Sequence, residues 1–146
     1  MPAGFTLVEL LIVVIILGIL AAVVIPQFNS ITEESREAAV AQKLRTVREA
    51  IERYKLYHNE ALPTEDLVAQ LTTTTDVNGD PGTDLGPYLR DPFPVNPLTQ
   101  TADVKFKNDM PNDPESDEAW IYAKKSGDFR CNVDGNAPSG TAWFDL

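Results

Sequence analysis

The chain has 146 residues, 43% of them hydrophobic, and its 22 acidic against 12 basic residues give a formal net charge of −10. This balance argues against a nucleic-acid-binding surface, because phosphate binding needs clustered Lys and Arg. About 25 residues form an apolar N-terminal segment, and the roughly 120 that follow are enough for one small domain. Cys131 is the single cysteine, which excludes an intramolecular disulfide.

An apolar stretch runs from Leu10 to Ile25, and one carboxylate, Glu9, stands at its start. An ionised Glu in a segment fit for lipid is costly unless a cation meets it. The first basic side chain in the sequence is Arg36, which is far from Glu9. The nearest available cation is therefore the α-amino group that cleavage between Gly4 and Phe5 would create.

Residues 4–9, Gly-Phe-Thr-Leu-Val-Glu, followed by the apolar stretch, resemble the prepilin-type cleavage and methylation motif. Type IV pilins and the pseudopilins of type II secretion systems carry this motif. The resemblance implies that a prepilin peptidase cuts after Gly4 and N-methylates Phe5. It also implies that Glu9 pairs with the N-terminal amine of a neighbouring subunit and so recruits subunits into a helical filament.

A secretory signal peptide or a simple membrane anchor is the alternative interpretation of the N-terminal apolar run. A signal peptide has basic residues, a short apolar core and small residues at its cleavage site. Here the core runs from Phe5 to Ile25 and ends at Pro26, and the leader Met1–Gly4 lacks the basic residues of the family pattern. Because prepilin peptidase acts at the cytoplasmic side, the resemblance implies a single-pass precursor in the cytoplasmic (inner) membrane, with its globular domain in the periplasm or outside the cell.

Two helix-weakening residues, Gly18 and Pro26, lie in or next to the apolar stretch. A proline inside a helix removes one backbone hydrogen bond and kinks or opens the helix. The resemblance implies that the segment between them unwinds partly in assembled filaments. The alternative is that both residues are simply tolerated in a membrane helix.

The next segment predicts an amphipathic helix, because apolar residues recur at helical spacing from Val40 through Leu44, Val47 and Ile51 to Tyr54. We therefore expect a leader at residues 1–4, a transmembrane and filament-core half helix at 5–26, an amphipathic half helix at 27–60 and a globular α+β domain at 61–146. The only candidate to cover the stripe is the C-terminal part of the chain.

Turn-forming residues divide the C-terminal part into loops and short strands. Residues 119–124 and 129–133 flank a Lys-Ser-Gly-Asp turn and predict a hairpin, and residues 141–146 predict a third strand. The predicted fold class is α+β, with a long N-terminal helix packed against a small antiparallel sheet. Further segments are similar to the major pseudopilin of type II secretion: Tyr54-Lys55-Leu56, Leu62-Pro63-Thr64 and Gly86-Pro87-Tyr88-Leu89.

Oxygen-bearing side chains in two loops are candidates for a calcium site, since the resemblance implies a calcium-holding C-terminal loop. The earlier loop begins like an EF-hand, but Pro81 stands where that motif requires Gly and Pro87 where it requires Glu. The alternative is that Asp and Asn occur there because turns favour them, and our main expectation is that no cofactor is bound. The candidate ligands are Asp76, Asn78, Asp80, Asp84, Asn132 and Asp134.

The sequence predicts a structural protein and no enzyme, because it has one His and one Cys and lacks a nucleophile elbow, a phosphate-binding glycine loop and zinc-ligand spacing. Three hypotheses remain: a type II secretion pseudopilin acting in protein export, a type IV pilin of a surface filament, and a membrane-anchored binding domain that does not polymerise. The resemblance implies as partners further copies in a homopolymer, the membrane, prepilin peptidase, an inner-membrane assembly platform and minor pseudopilins. No nucleic-acid partner is expected.

Overall fold

A computed structural model describes residues 4–90, 92–115 and 117–146, and in its long helix the side chains of residues 23–31 lie outside the description. The elements in chain order are helix α1 (Leu7–Tyr57), helix α2 (Leu67–Thr72), strands β1 (Val104–Lys107), β2 (Trp120–Ala123) and β3 (Phe129–Cys131), and a 3-10 helix (Trp143–Asp145). The structure is therefore a long helix combined with a small sheet, and the predicted α+β class is confirmed at this level.

Helix α1 is 51 residues long, in agreement with the helix predicted from the apolar patterns. It ends where His58, the residue after the helix, donates its backbone N–H to the Tyr54 carbonyl at 3.0 Å. Asn59 and Glu60 then adopt positive φ values of 55° and 65°, a conformation that cannot continue a right-handed helix. Gly18 lies within α1, and the side chain of Pro26 is among those outside the described residues.

No helix among the residues that the structure describes is long and apolar enough to cross a membrane. The predicted transmembrane half helix at residues 5–26 includes side chains outside the described residues, and it stays a prediction.

The C-terminal half of α1 buries one stripe of side chains, as the spacing predicts. These side chains contribute to the core together with residues of α2 and of the sheet, and each is at most 2% exposed: Val40, Leu44, Val47, Ile51 and Tyr54. A hydrogen bond also joins α1 to the sheet, since Arg48 donates from Nε to the Phe129 carbonyl at 2.9 Å. The C-terminal part of the chain thus covers the stripe.

The sheet has the order β1-β2-β3 and is mixed. The predicted hairpin is confirmed, since β2 and β3 pair antiparallel with Trp120 opposite Cys131. The prediction of a wholly antiparallel sheet is wrong, because β1 runs parallel to β2 with Val104 opposite Trp120. The physical reason is that the connection of residues 108–119 is long enough to return the chain alongside β1, where Lys105 pairs with Glu115 and Glu118, so that β2 starts in the same direction as β1.

The predicted third strand at residues 141–146 is also wrong, because this segment contains the 3-10 helix Trp143–Asp145. Trp143 and Phe144 are adjacent in sequence and both are buried. The 3-10 turn buries the two rings in different surroundings, because Trp143 belongs to the hydrophobic core and Arg130 lies over the Phe144 ring at 5.1 Å from its centroid.

The proline-rich segment before β1 is held by buried hydrogen bonds. Asn96 is fully buried and its Nδ2 donates to the Ala119 carbonyl at 2.8 Å, while Trp120 Nε1 donates to the Pro94 carbonyl at 2.9 Å. Tyr122 Oη donates to the Pro63 carbonyl at 3.0 Å and connects the sheet to the segment after α1. These bonds satisfy the carbonyl groups of Pro63 and Pro94, which lie outside the strands, and give a second donor to the Ala119 carbonyl, which also accepts from the Asn132 N–H at 3.1 Å.

Truncation of the buried stripe tests this packing. Leu44→Ala should lower the free energy of unfolding by about 2 to 5 kcal/mol, because it removes a fully buried side chain and leaves a cavity. The control is Leu56→Ala on the same helix, where the side chain is 68% exposed and the loss should stay within about 0.5 kcal/mol. Urea unfolding of both variants in detergent, followed by tryptophan fluorescence, measures the difference. Equal losses would contradict the arrangement.

Candidate assembly interface

The N-terminus of α1 is closed by a reciprocal capping box between Thr6 and Glu9. Glu9 donates its backbone N–H to Thr6 Oγ1 at 3.2 Å, and Glu9 Oε2 accepts from the Thr6 backbone N–H at 2.8 Å and from its hydroxyl at 2.7 Å. Such a box satisfies helix N–H groups that have no partner inside the helix. Within one chain, therefore, Glu9 binds the start of its own helix.

Glu9 retains capacity for another donor. All of the hydrogen bonds just given for the carboxylate go to Oε2, and Oε1 accepts none from the residues that the structure describes. A carboxylate offers about four acceptor sites, so an ammonium group can bind it without breaking the capping box. Glu9 is exposed, so another molecule can reach it.

The apolar residues around Glu9 are exposed in the isolated chain. From Phe5 to Leu20, the large hydrophobic side chains are 47–81% exposed. They occur on every side of the helix, in contrast to the single stripe of its C-terminal half. A helix that is apolar all round requires an apolar environment supplied by something else.

The predicted cleavage site lies before α1 begins. Gly4 and Phe5 are outside any helix or strand and are exposed, and, its chain neighbours aside, no atom of the described residues lies within 4 Å of the position that a Gly4 side chain would occupy. The peptide bond between them is thus open to an enzyme, and the new amine would be close in sequence to Glu9. Gly4 and Phe5 precede α1, Glu9 lies in its first turn and Gly18 lies further along the helix, while their roles in processing and assembly stay predictions.

The first group of predicted calcium ligands is engaged in a turn. Asp76 Oδ1 accepts from the backbone N–H groups of Asn78 at 2.8 Å and Asp80 at 3.1 Å. These bonds stabilise the turn itself, the alternative that the sequence also allowed. Asp84 is exposed in the same loop and accepts from Thr83 Oγ1 at 3.4 Å.

The second group of predicted ligands is divided between two environments. Asn132 is fully buried, its Oδ1 accepts from the Glu115 backbone N–H at 2.8 Å and its Nδ2 donates to the Glu118 carbonyl at 3.1 Å. Asp134 is exposed and accepts from the neighbouring Gly135 N–H. Within the described ranges, no set of three or more Asp, Glu, His or Cys residues is arranged to hold a metal ion.

A charged cluster that the sequence analysis missed lies beside Asn132. Lys105 Nζ forms ion pairs with Glu115 Oε2 at 2.8 Å, with Glu118 Oε2 at 3.4 Å and with the Asp117 carboxylate, and Lys107 Nζ pairs with Glu115 Oε1 at 2.8 Å. Three carboxylates therefore surround one ammonium group. This cluster attaches the 108–119 connection to the face of β1.

The electrostatics of the cluster follow from this crowding. Hydrogen bonds to the Asp117 and Glu115 carboxylates raise the pKa of Lys105 above its usual range, and its ammonium group lowers the pKa of Glu115 and of Asp117. The Asp117 carboxylate next to Glu118 raises the pKa of Glu118, because two carboxylates so close do not ionise together easily.

The sequence contains a signal for one of the missed sites but not for the other. Thr6 followed three residues later by Glu9 is the pattern of a capping box, and it could have been found. The Lys105 cluster joins residues 8 to 13 positions apart on a strand and an irregular connection, so no helix or strand spacing predicts it. Two missed residues with structural roles are thus Thr6 and Lys105.

Comparison with known proteins supports the N-terminal part of this description. Residues 2–25 match the family described as "Prokaryotic N-terminal methylation motif". The chain is 41% identical over 54 residues to type II secretion system core protein G of Pseudomonas aeruginosa, covering 37% of this chain and 38% of that protein. Over 78 residues it is 35% identical to core protein G of Vibrio cholerae, covering 53% of each.

The fimbrial proteins are similar to the same degree. The chain is 36% identical over 76 residues to the fimbrial protein of Neisseria meningitidis serogroup A, covering 52% of this chain and 44% of that protein. The resemblance to pilins and pseudopilins is thereby confirmed. The chain spans about half or less of the length of these curated relatives. No solved structure matches the chain.

Removal of the central ammonium group tests the charged cluster. We expect Lys105→Met to lower the melting temperature at pH 7, because three carboxylates then face one another with Lys107 as the only remaining cation of the cluster. The lowered pKa values of Glu115 and Asp117 stabilise the fold above their usual range near pH 4, and this contribution is lost as pH falls through the lowered values. The raised pKa of Lys105 stabilises the fold below the usual lysine pKa of 10.5. This contribution is lost only when pH rises through the raised value.

The difference in melting temperature between Lys105→Met and the unaltered chain should therefore shrink as pH falls from 7 to 3. Thermal unfolding followed by circular dichroism at several pH values measures it. The control is Lys125→Met, which removes an exposed ion pair with Asp109 and should change stability little at any pH. A difference for Lys105→Met that does not vary with pH would contradict the electrostatic account.

Proposed function

We propose that this protein is a structural subunit of a pilus-like filament, and that the filament is the pseudopilus of a type II secretion system acting in protein export. The observation that carries the proposal is the N-terminal methylation motif, whose Glu9 stands at the start of an exposed apolar helix. Similarity to core protein G from several bacteria favours the pseudopilus.

The apolar surface of α1 supplies the physical reason for assembly. Burying one large aliphatic or aromatic side chain contributes about 1.5 to 3 kcal/mol relative to leaving it in water. The exposed set from Phe5 to Leu20 therefore cannot remain in water without a large cost. A membrane-anchored precursor would cover this surface with lipid, and a filament would cover it with the same helices of neighbouring copies.

Glu9 would fix the axial position of each α1 helix relative to the helices of neighbouring copies. When lipid contacts are exchanged for helix contacts, the hydrophobic gain is small, so polar contacts and close packing decide how helices associate. The free Oε1 of Glu9 accepts from the methylated amine of Phe5 in a neighbouring copy, which neutralises a carboxylate in apolar surroundings. A subunit shifted along the filament would leave both charges without partners.

The proposed partners follow from this cycle. Prepilin peptidase cuts the exposed bond after Gly4, an inner-membrane assembly platform moves the subunit out of the membrane, and minor pseudopilins join the same filament. The globular domain would lie on the periplasmic side. The subunit needs no cofactor in this scheme, and its acidic surface faces solvent.

A role without catalysis is consistent with the use of its two most reactive side chains. Both ring nitrogens of His58 are occupied, Nδ1 with the Tyr54 carbonyl at 2.8 Å and Nε2 with Thr75 Oγ1 at 3.0 Å. Cys131 is fully buried, and burial raises the pKa of its thiol away from the reactive thiolate. We propose that neither residue takes part in chemistry.

The second candidate is a type IV pilin of a surface filament. The match to the Neisseria fimbrial protein, 36% identical over 76 residues, is as extensive as the match to the Vibrio core protein G, 35% identical over 78 residues, and this favours keeping the pilin as an alternative. Deletion of the gene in its host separates the two. Loss of exoprotein secretion with unchanged surface pili supports the pseudopilus, and the opposite result supports the pilus.

Removal of the Glu9 charge tests the assembly step. Glu9→Gln keeps an acceptor oxygen for the capping box but cannot neutralise an ammonium group, so filament yield should fall roughly tenfold or more. Sheared filaments quantified by immunoblot measure the yield. The matched control is Glu33→Gln, which removes a surface ion pair with Arg36 on the same helix and should leave the yield unchanged. Normal assembly of Glu9→Gln would sink the proposed pairing.

Processing is tested by intact-mass spectrometry of the protein purified from its host. The expected mature chain begins at Phe5 and carries one additional methyl group. A chain that still begins at Met1 would contradict prepilin processing and favour a simple anchor. Gly4→Ala should preserve the fold, because Gly4 is exposed and unpacked, while it tests whether the enzyme requires glycine at this position.

A further inference from the structure

Strand β1 lies at the edge of the sheet and pairs with β2 on one side only. The Trp120 N–H donates to the Asp103 carbonyl at 3.0 Å, and the Lys124 N–H donates to the Lys107 carbonyl at 2.8 Å. In a parallel pair, alternate residues direct their backbone groups to the partner strand. The N–H and C=O groups of Val104 and Phe106 therefore point away from β2, toward the free edge.

A groove borders this free edge. Its opposite wall is α2 with the residues just before and after it, and its volume is about 600 Å³. The groove contains partly exposed apolar side chains: Val68 of α2 is 36% exposed, and Val104 and Phe106 of β1 are half-buried. Phe93 is buried beside them. Both an apolar surface and unpaired backbone groups are thus available along β1.

The rim of the groove is acidic. Glu65, Asp66 and Asp103 line it and are exposed, and no Lys or Arg is among the described lining residues. Glu65 pairs with Lys124 at 2.5 Å. Asp66 and Asp103 form no ion pair with any residue in the described part of the chain. Two carboxylates at the groove are therefore available to a cationic partner.

We propose that this groove binds an extended peptide segment of another protein, with alternating apolar and basic side chains, which adds a strand beside β1. Main-chain bonds to Val104 and Phe106 would supply affinity, the apolar wall would take every second side chain, and Asp66 and Asp103 would select Lys or Arg. Four paired residues span about 13 Å, the length of β1. The inference does not depend on the filament proposal.

Charge decides against a second copy of this chain as the occupant. The chain carries a net charge of −10, and two acidic rims brought together at paired β1 edges would repel each other. A basic segment removes this repulsion.

The test uses the full chain in zwitterionic detergent micelles and an acetylated, amidated hexapeptide of alternating Val and Lys. Heteronuclear NMR should show saturable shifts of the Val104 and Phe106 amides, with slower hydrogen exchange at both. A hexapeptide of alternating Val and Glu, and the Val-Lys peptide N-methylated at every residue, should each bind at least about tenfold more weakly. Equal binding of the N-methylated peptide would overturn strand addition.

Variants separate the groove from general charge attraction. The double variant Asp66→Asn, Asp103→Asn should weaken binding of the Val-Lys peptide about tenfold. The matched control is Asp84→Asn, Asp134→Asn, which removes the same charge from exposed loops and should bind normally. Equal weakening in both double variants would overturn the proposal. Shifts of Val104 and Phe106 that depend on protein concentration without peptide would also overturn it, in favour of a second copy.

Discussion

Burial of the α1 stripe between Val40 and Tyr54 is the interaction on which the rest of the structure depends. The stripe packs with residues of α2 and of the sheet in one core, and it fixes where the short elements can lie. Hydrogen bonds then fix how these short elements are oriented on the helix. Arg48 donates to the carbonyl oxygens of Phe129 and Leu146, which brings β3 and the last residues of the chain to the same face of the helix.

The C-terminal end of α1 is the second place where the helix is attached to the globular part, because ring stacking and hydrogen bonds both occur there. Tyr54 and His58 stack with ring centroids 3.7 Å apart, and the imidazole bridges the helix to Thr75. Thr75 in turn pairs with Leu85 across a small loop. A globular unit with few and short strands thus obtains order from its attachment to the long helix, in keeping with the need of short sheets for a packing partner.

The same helix presents two different surfaces, and this division relates the fold to the proposed function. Its C-terminal half is satisfied within the chain, whereas the apolar residues from Phe5 to Leu20 are exposed. The C-terminal half of α1 is therefore packed within the chain, while the apolar side chains of its N-terminal half still lack a packing partner. A polymer formed through the N-terminal halves would leave the globular units, and with them the acidic groove at β1, at the outside of the filament.

Charge is used differently at the two ends of the chain. Near the N-terminus a single carboxylate, Glu9, lies in apolar surroundings and retains capacity for a donor from another molecule. In the globular part, three carboxylates lie around Lys105 and are partly neutralised by Lys105 and Lys107 of the same chain. The first arrangement suits association, and the second attaches the connection between β1 and β2.

The sequence by itself determined the long helix, the covered stripe, the β2–β3 hairpin and the motif around Gly4, Phe5 and Glu9. These features depend on residues close together in the chain, so periodicity and spacing describe them. Only the tertiary structure decided that β1 joins the sheet in parallel, that Trp143 and Phe144 form a 3-10 helix, and that Lys105 lies among three carboxylates. The physical reason is that strand pairing and ion pairing across irregular connections depend on contacts between distant residues, which local propensity does not encode.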